Sequence, residues 1–179
     1  MKKTGQIWVE TMIYTLIGLT LIGVVLALAM PKINQQKERI IIEQSIESMN
    51  IFDSKMREVI DSGAGNIRKI EFFSIKKGKI VINSTGDEIT FLIEGLSKTY
   101  SEPGAVINIG ATKVVSTQLG KSSTTKIVLD YKDVANIIFE NSEIFKEFGE
   151  SSTPYSFSME NRGISGDKIV IDLEEDSEK

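Results

Sequence analysis

Residues 11–31 carry no charge, and within them only Thr11, Tyr14, Thr15 and Thr20 are polar. At ~1.5 Å per residue, a helix of that length spans the ~30 Å hydrocarbon core of a bilayer. Lipid offers the backbone no hydrogen-bond partners, so a single span has to be helical. Lys2 and Lys3 precede the run, as in an amino-terminal export signal. One carboxylate, Glu10, stands at its edge. Gly23 and Ala27 lie four residues apart, a small-residue spacing that lets another helix approach closely. Pro31 has no N–H to donate and is expected to bend the helix as it leaves the lipid.

Beyond Pro31 the helical period continues. Ile42, Ile46, Met49, Phe52, Met56 and Val59 recur at spacings of three and four, with charged and amide residues between them. This pattern predicts one apolar stripe on an otherwise wet helix. Gly63-Ala64-Gly65 supplies the exit. The predicted helix covers 6–62, roughly 80 Å in all. Only its first ~30 Å fits in lipid, so the second stripe needs a protein cover.

From there the period changes from 3.6 to 2. Strands are predicted at 70–75, 79–83, 88–94, 105–109, 113–116, 125–131, 155–160 and 168–173, and the turns between them carry glycine, asparagine or aspartate. Polar connections are expected at 117–123, 122–125, 151–154 and 161–167. The stretch 134–148 fits either a short strand with a helical turn or one amphipathic helix. Short strands joined by tight turns point to a mainly antiparallel sheet with the helix stripe as its cover. The expected class is α+β, with a globular β-domain over 66–179.

Composition narrows the function further. With 21 basic and 25 acidic residues the net charge is -4, which gives no electrostatic case for nucleic acid. There is no cysteine and no histidine. Disulfides, thiolate chemistry and the commonest general base and metal ligand are therefore absent. No phosphate loop or nucleophile elbow is present, and no cofactor or metal is expected. Asp87 with Glu88, and Asp130 with Asp133, lack the dense oxygen spacing of a calcium loop. The acidic tail, 174–178, reads as a solvated end. Asn83-Ser84-Thr85 is an N-x-S/T sequon in a predicted turn, a possible glycosylation point at Asn83.

Taken together, Lys2-Lys3-Thr4-Gly5-Gln6-Ile7-Trp8-Val9-Glu10 and the apolar run resemble the class III signal of type IV prepilins. The resemblance implies a leader, 1–5, that a prepilin peptidase removes after Gly5. Gln6 then becomes the new amino terminus, and Glu10 the carboxylate of a filament core built from residues 11–31. Glutamine after the cut and the absence of a cysteine loop look more archaeal than bacterial. The implied protein is not an enzyme. It is a cell-surface filament subunit, a membrane protein before assembly, with its β-domain outside the cell and available for adhesion. Its implied partners are the membrane, the peptidase and copies of itself or related pilins. Physical chemistry agrees with a special role for Glu10. A carboxylate in lipid costs ~2.5–3.5 kcal/mol at the centre of a span, and pairing with a neighbour's α-amine would offset that cost. A snorkelling Glu10 at the membrane surface is the plainer reading.

Two other readings stand beside this one. An uncleaved signal-anchored surface protein needs no peptidase. Ala27-Leu28-Ala29 also fits an ordinary signal-peptidase site, which would release a soluble domain beginning at Met30. An archaellum subunit is a near neighbour of the pilin reading, but its first mature residues usually lack the glutamate.

Overall fold

A computed structural model describes residues 3–176, with side chains placed from Trp8 onward. The chain divides after Lys37 into two compact units. The first unit is the amino-terminal part of one α-helix, α1 (Lys3–Ile60), and the second begins at Glu38 within the same helix. Pro31 lies inside α1, which continues through it.

In the first unit the large apolar side chains from Trp8 to Met30 are all exposed, on every side of the helix. The segment is long and apolar enough to cross a membrane, and none of its most apolar stretch is buried against the chain.

In the second unit α1 meets two sheets. The strands are β1 (Ile67–Phe73), β2 (Lys79–Asn83), β3 (Glu88–Leu96), β4 (Val106–Ile109), β5 (Thr112–Leu119), β6 (Ser122–Asp130), β7 (Ala135–Phe139), β8 (Phe145–Phe148), β9 (Tyr155–Ser165) and β10 (Lys168–Glu175). They form a four-stranded sheet in the order β1-β9-β10-β7 and a six-stranded sheet in the order β4-β5-β6-β3-β2-β8. All six residues of the predicted helix stripe are buried. They join one apolar cluster with Ile80, Ile82, Ile89, Phe91 and Ile127 of the larger sheet and Ile137, Phe157, Met159, Ile171 and Leu173 of the smaller. Phe157 is the hub of that cluster. Its ring lies 6.1 Å from Phe52 on α1, 5.8 Å from Phe73 on β1 and 5.1 Å from Phe148 on β8, mostly edge to face. This is the preferred geometry for aromatic pairs.

The end of α1 is fixed from the far side of the sequence. Asn161 on β9 donates through Nδ2 to the carbonyls of Val59 (3.0 Å) and Ser62 (2.8 Å), while its Oδ1 accepts from Gly163 N (2.8 Å). At the helix end Val59 O otherwise accepts, among the described residues, only a turn bond from Ser62 N at 3.2 Å. Backbone bonds from Gly65 N to Asn161 O and from Asn161 N to Asn66 O complete the clasp. Asn161→Ala should therefore cost about 1–3 kcal/mol, because it leaves Ser62 O unpaired and removes the side-chain bonds that hold β9 to the helix end. Urea denaturation of the detergent-solubilised chain checks this, with Asn66→Ala, an exposed side chain, as the mild control.

The β4–β5 turn also rests on α1. Ala111 N donates to Asn50 Oδ1 at 2.9 Å. Gly110 has a φ of +62, and a Cβ there would come within 2.4 Å of that same oxygen. Glycine is the residue that meets both demands.

Several expectations need correction. The helix stops at Ile60 rather than 62, where the Asn161 clasp takes over. The predicted strand 70–75 begins at Ile67 and ends at Phe73, with a bulge inside it between Ile70 and Phe73. The expected loops at 117–123 and 122–125 belong instead to the β5–β6 hairpin, interrupted only by Gly120 and Lys121. Between Thr117 and Thr124 the buried side chain is Ser123, so no apolar alternation marked this end. The connection expected at 161–167 is largely β9, bulged opposite Val170 and Ile171. The stretch 134–148 is neither a helix nor a strand with a helical turn. It forms β7 and β8, with Glu140 and Asn141 both at positive φ in the turn that follows β7. One pairing, β7 with β10, is parallel, because the chain leaves the larger sheet after β6 and enters the smaller one at its edge.

Candidate functional site

The groups singled out for assembly lie in the first unit. Glu10 is exposed on α1, and Tyr14 Oη donates to its Oε1 at 3.4 Å, one turn along. Thr15 Oγ1 donates to Thr11 O (2.9 Å) and Thr20 Oγ1 to Leu16 O (2.7 Å). The hydroxyls of the span are thus satisfied inside the helix, as lipid or a dry filament core requires. Glu10 is the exception, a carboxylate with one hydroxyl neighbour among the described residues. At ~100° per residue, Tyr14 lies about 40° from Glu10, whereas Gly23 and Ala27 lie about 140° and 100° away and about 40° from each other. Nothing within the chain lies within 4 Å of a Cβ built on Gly18 or Gly23. The span therefore presents a charged side and a separate small-residue side. Of the expected cleavage pair, Gly5 and Gln6, only the helical backbone is described, and the start of the leader lies outside the described residues. So does the end of the acidic tail.

In the second unit Asn83 is half-buried, and its Oδ1 accepts from Gly86 N at 3.2 Å, capping the 3-10 turn Ser84–Gly86. The sequon thus falls in a turn, as its sequence predicts, with its asparagine already holding that turn closed.

The acidic residues near it are occupied. Asp87, at a φ of 51, accepts from Ile137 N (2.9 Å) and Lys168 Nζ (3.3 Å), so it ties the β2–β3 turn to β7. Glu88 accepts from Lys126 (2.8 Å) and Thr90, and Asp130 from Lys113 (3.0 Å). Burial pushes the Glu88 carboxyl up, but the Lys126 and Thr90 hydrogen bonds hold it below the ordinary value. Asp130 is held low by Lys113 and by the backbone N–H of Lys132. With Lys79–Glu147 (2.9 Å), these pairs form a charged lattice over the outer face of β2, β3 and β6. Among the described residues no three acidic side chains gather as metal ligands.

Two buried carboxylates were not legible in the sequence. Asp53, on the helix side that faces the core, accepts from Arg57 Nε (2.7 Å) and from the buried Tyr131 Oη (3.0 Å). Burial, and then the Asp53 charge, push the Tyr131 phenol far above its usual value. Asp172 on β10 is almost wholly enclosed and accepts from Arg162 Nη2 (2.9 Å) and Asn141 N (3.1 Å). The only sequence signal for Asp53 is an acid set beside Phe52 in the apolar stripe. Both carboxylates have partners, and neither opens onto a cleft, so they hold elements together rather than act on a substrate.

No protein-family profile, curated protein sequence or solved structure matches this chain.

Proposed function

We propose that this chain is a structural subunit of a type IV pilus-like cell-surface filament, held in the membrane by the first part of α1 until assembly. The observation that carries the reading is an apolar helical surface, unburied on every side, with a carboxylate at its edge. Lipid alone accounts for the apolar surface but leaves Glu10 costly. A core of parallel helices accounts for both. It buries the apolar sides and offers Glu10 the α-amine of a neighbour that has been cut after Gly5. The separate small-residue side at Gly23 and Ala27 supports contact with more than one neighbouring helix. The globular unit, with its own core and a charge-laced outer face, suits exposure to water outside the cell, where it would carry adhesion or other surface contacts.

The test is the mature terminus. Intact mass and amino-terminal sequencing of the protein from its host's membranes should give a chain that starts at Gln6. Gly5→Val should leave the full precursor and no filaments. A start at Met1 would identify a signal-anchored surface protein, and a start at Met30 a secreted domain. Either result removes the filament reading.

A further inference from the structure

Phe72 is the least expected side chain of the globular unit. On β1, simple alternation from Ile70 would turn Phe72 inward and Phe73 outward. A bulge between Ile70 and Phe73 reverses this, so that Phe73 enters the core while Phe72 adopts a φ of 63 with its side chain 77% exposed. A left-handed, solvated position suits glycine or asparagine. The need to bury Phe73 explains the bulge, but it does not explain an aromatic ring at 72. Bulges often re-aim a side chain for use, and backbone strain of this kind points to function.

The ring borders a cleft of about 510 Å³ with Tyr155 and Pro154. Glu71 and Glu175 also line it, and neither forms an ion pair among the described residues; Lys69 is paired with Asp176 at 2.8 Å. The cleft is therefore aromatic and anionic. A complementary feature lies elsewhere on the same unit. At the β5–β6 hairpin, Leu119 is 89% exposed, more than any other large apolar residue described. It adjoins Gly120, whose φ of +63 suits a tight two-residue turn, and Lys121, which has no ion pair among the described residues. The tip is apolar and cationic.

We propose that the hairpin tip of one copy docks in the Phe72–Tyr155 cleft of a second copy, with Leu119 against the rings and Lys121 beside Glu71 and Glu175. Tip and cleft are different surfaces, so the contact is heterologous. Each docking leaves one tip and one cleft free at the ends, so the contact repeats, into a ring where its rotation closes and an open array where it does not. The proposal takes its setting from the filament reading and names a contact between globular units that the helical core does not supply.

The chain has no cysteine, which makes disulfide trapping clean. Leu119→Cys combined with Thr153→Cys, at the rim of the cleft, should give a ladder of covalent multimers on mild oxidation of intact cells. Each single variant should give dimers at most. Adding Lys121→Glu should lower the ladder yield about tenfold, through like-charge contact in the cleft. Glu71→Lys with Glu175→Lys should then restore it. Filaments without a ladder, or a ladder indifferent to Lys121→Glu, would overturn the docking and leave the filament reading intact. A charge-sensitive ladder from chains that still start at Met1 would support the docking and remove the filament reading. Because the substituted side chains lie at the surface, an unchanged thermal midpoint separates lost docking from lost folding.

Discussion

Phe157→Ala is expected to destabilise the globular unit by about 3–5 kcal/mol, enough to unfold a domain of ordinary marginal stability. The argument rests on what the ring joins. It is fully buried and touches rings from α1, β1 and β8 as well as Tyr155, so its loss opens a void where helix and both sheets meet. Such a void closes poorly, because Phe52 and Phe73 already brace each other at 6.1 Å on the other side. Phe157→Leu keeps much of the volume and should lose less than half as much. Urea denaturation of the solubilised full-length chain, followed by near-UV circular dichroism, reads the difference. A loss near 1 kcal/mol for Phe157→Ala would mean that the helix and the two sheets are not locked through this ring.

The elements that could be read directly from the sequence were those whose buried positions are hydrocarbon. The stripe Ile42, Ile46, Met49, Phe52, Met56 and Val59 is buried as its spacing requires, and β2 matches its predicted bounds because the hydrocarbon run Ile80-Val81-Ile82 is closed by Lys79 and Asn83. The strands at 113–116 and 125–131 were legible parts of the β5–β6 hairpin, but its far end, 117–124, was not, because it buries no hydrocarbon. The buried side chain there is Ser123, next to the point where Ser116 and Thr125 meet at 3.3 Å, fully buried. At 134–148 the decisive event is a turn at Glu140 and Asn141 with two positive φ values, which an acidic residue does not advertise. Periodicity also carries no information about which sheet a strand joins. The parallel pairing of β7 with β10 comes with bonds from Ile137 N to Asp87 and from Asn141 N to Asp172 that span many residues of sequence.

The candidate site divides along the same line. Glu10, Gly23 and Ala27 were legible because composition alone sets them apart in an apolar run, and one helix fixes their mutual placement. Phe72 was not. Its outward turn depends on a bulge that only the pairing with β9 reveals. Asn161 was equally hidden, since a polar residue in a polar stretch gives no hint that it closes a helix a hundred residues earlier.

Glu10→Leu should move two observables in opposite directions. Removing a carboxylate at the edge of the span makes membrane residence more favourable, by as much as ~2.5–3.5 kcal/mol if the group reaches the lipid centre and by less at the surface. The variant should therefore be retained in membranes at least as well as the parent. On the filament reading it nevertheless loses the partner of the neighbour's α-amine. An unpaired charge in a dry helical core costs about 3–5 kcal/mol, so the ratio of filament to membrane protein should fall about a hundredfold or more. Glu10→Gln separates charge from shape. It keeps the length of the side chain and can still accept a hydrogen bond from Tyr14 Oη, yet it should assemble little better than Glu10→Leu. An uncleaved anchor makes no such demand, and there both substitutions should be neutral or mildly favourable. Shearing the cells and comparing the two fractions by quantitative immunoblot gives the ratio directly. Full assembly of Glu10→Gln would mean that Glu10 serves as a polar group at the membrane surface and that something other than an ion pair sets the register of the helices.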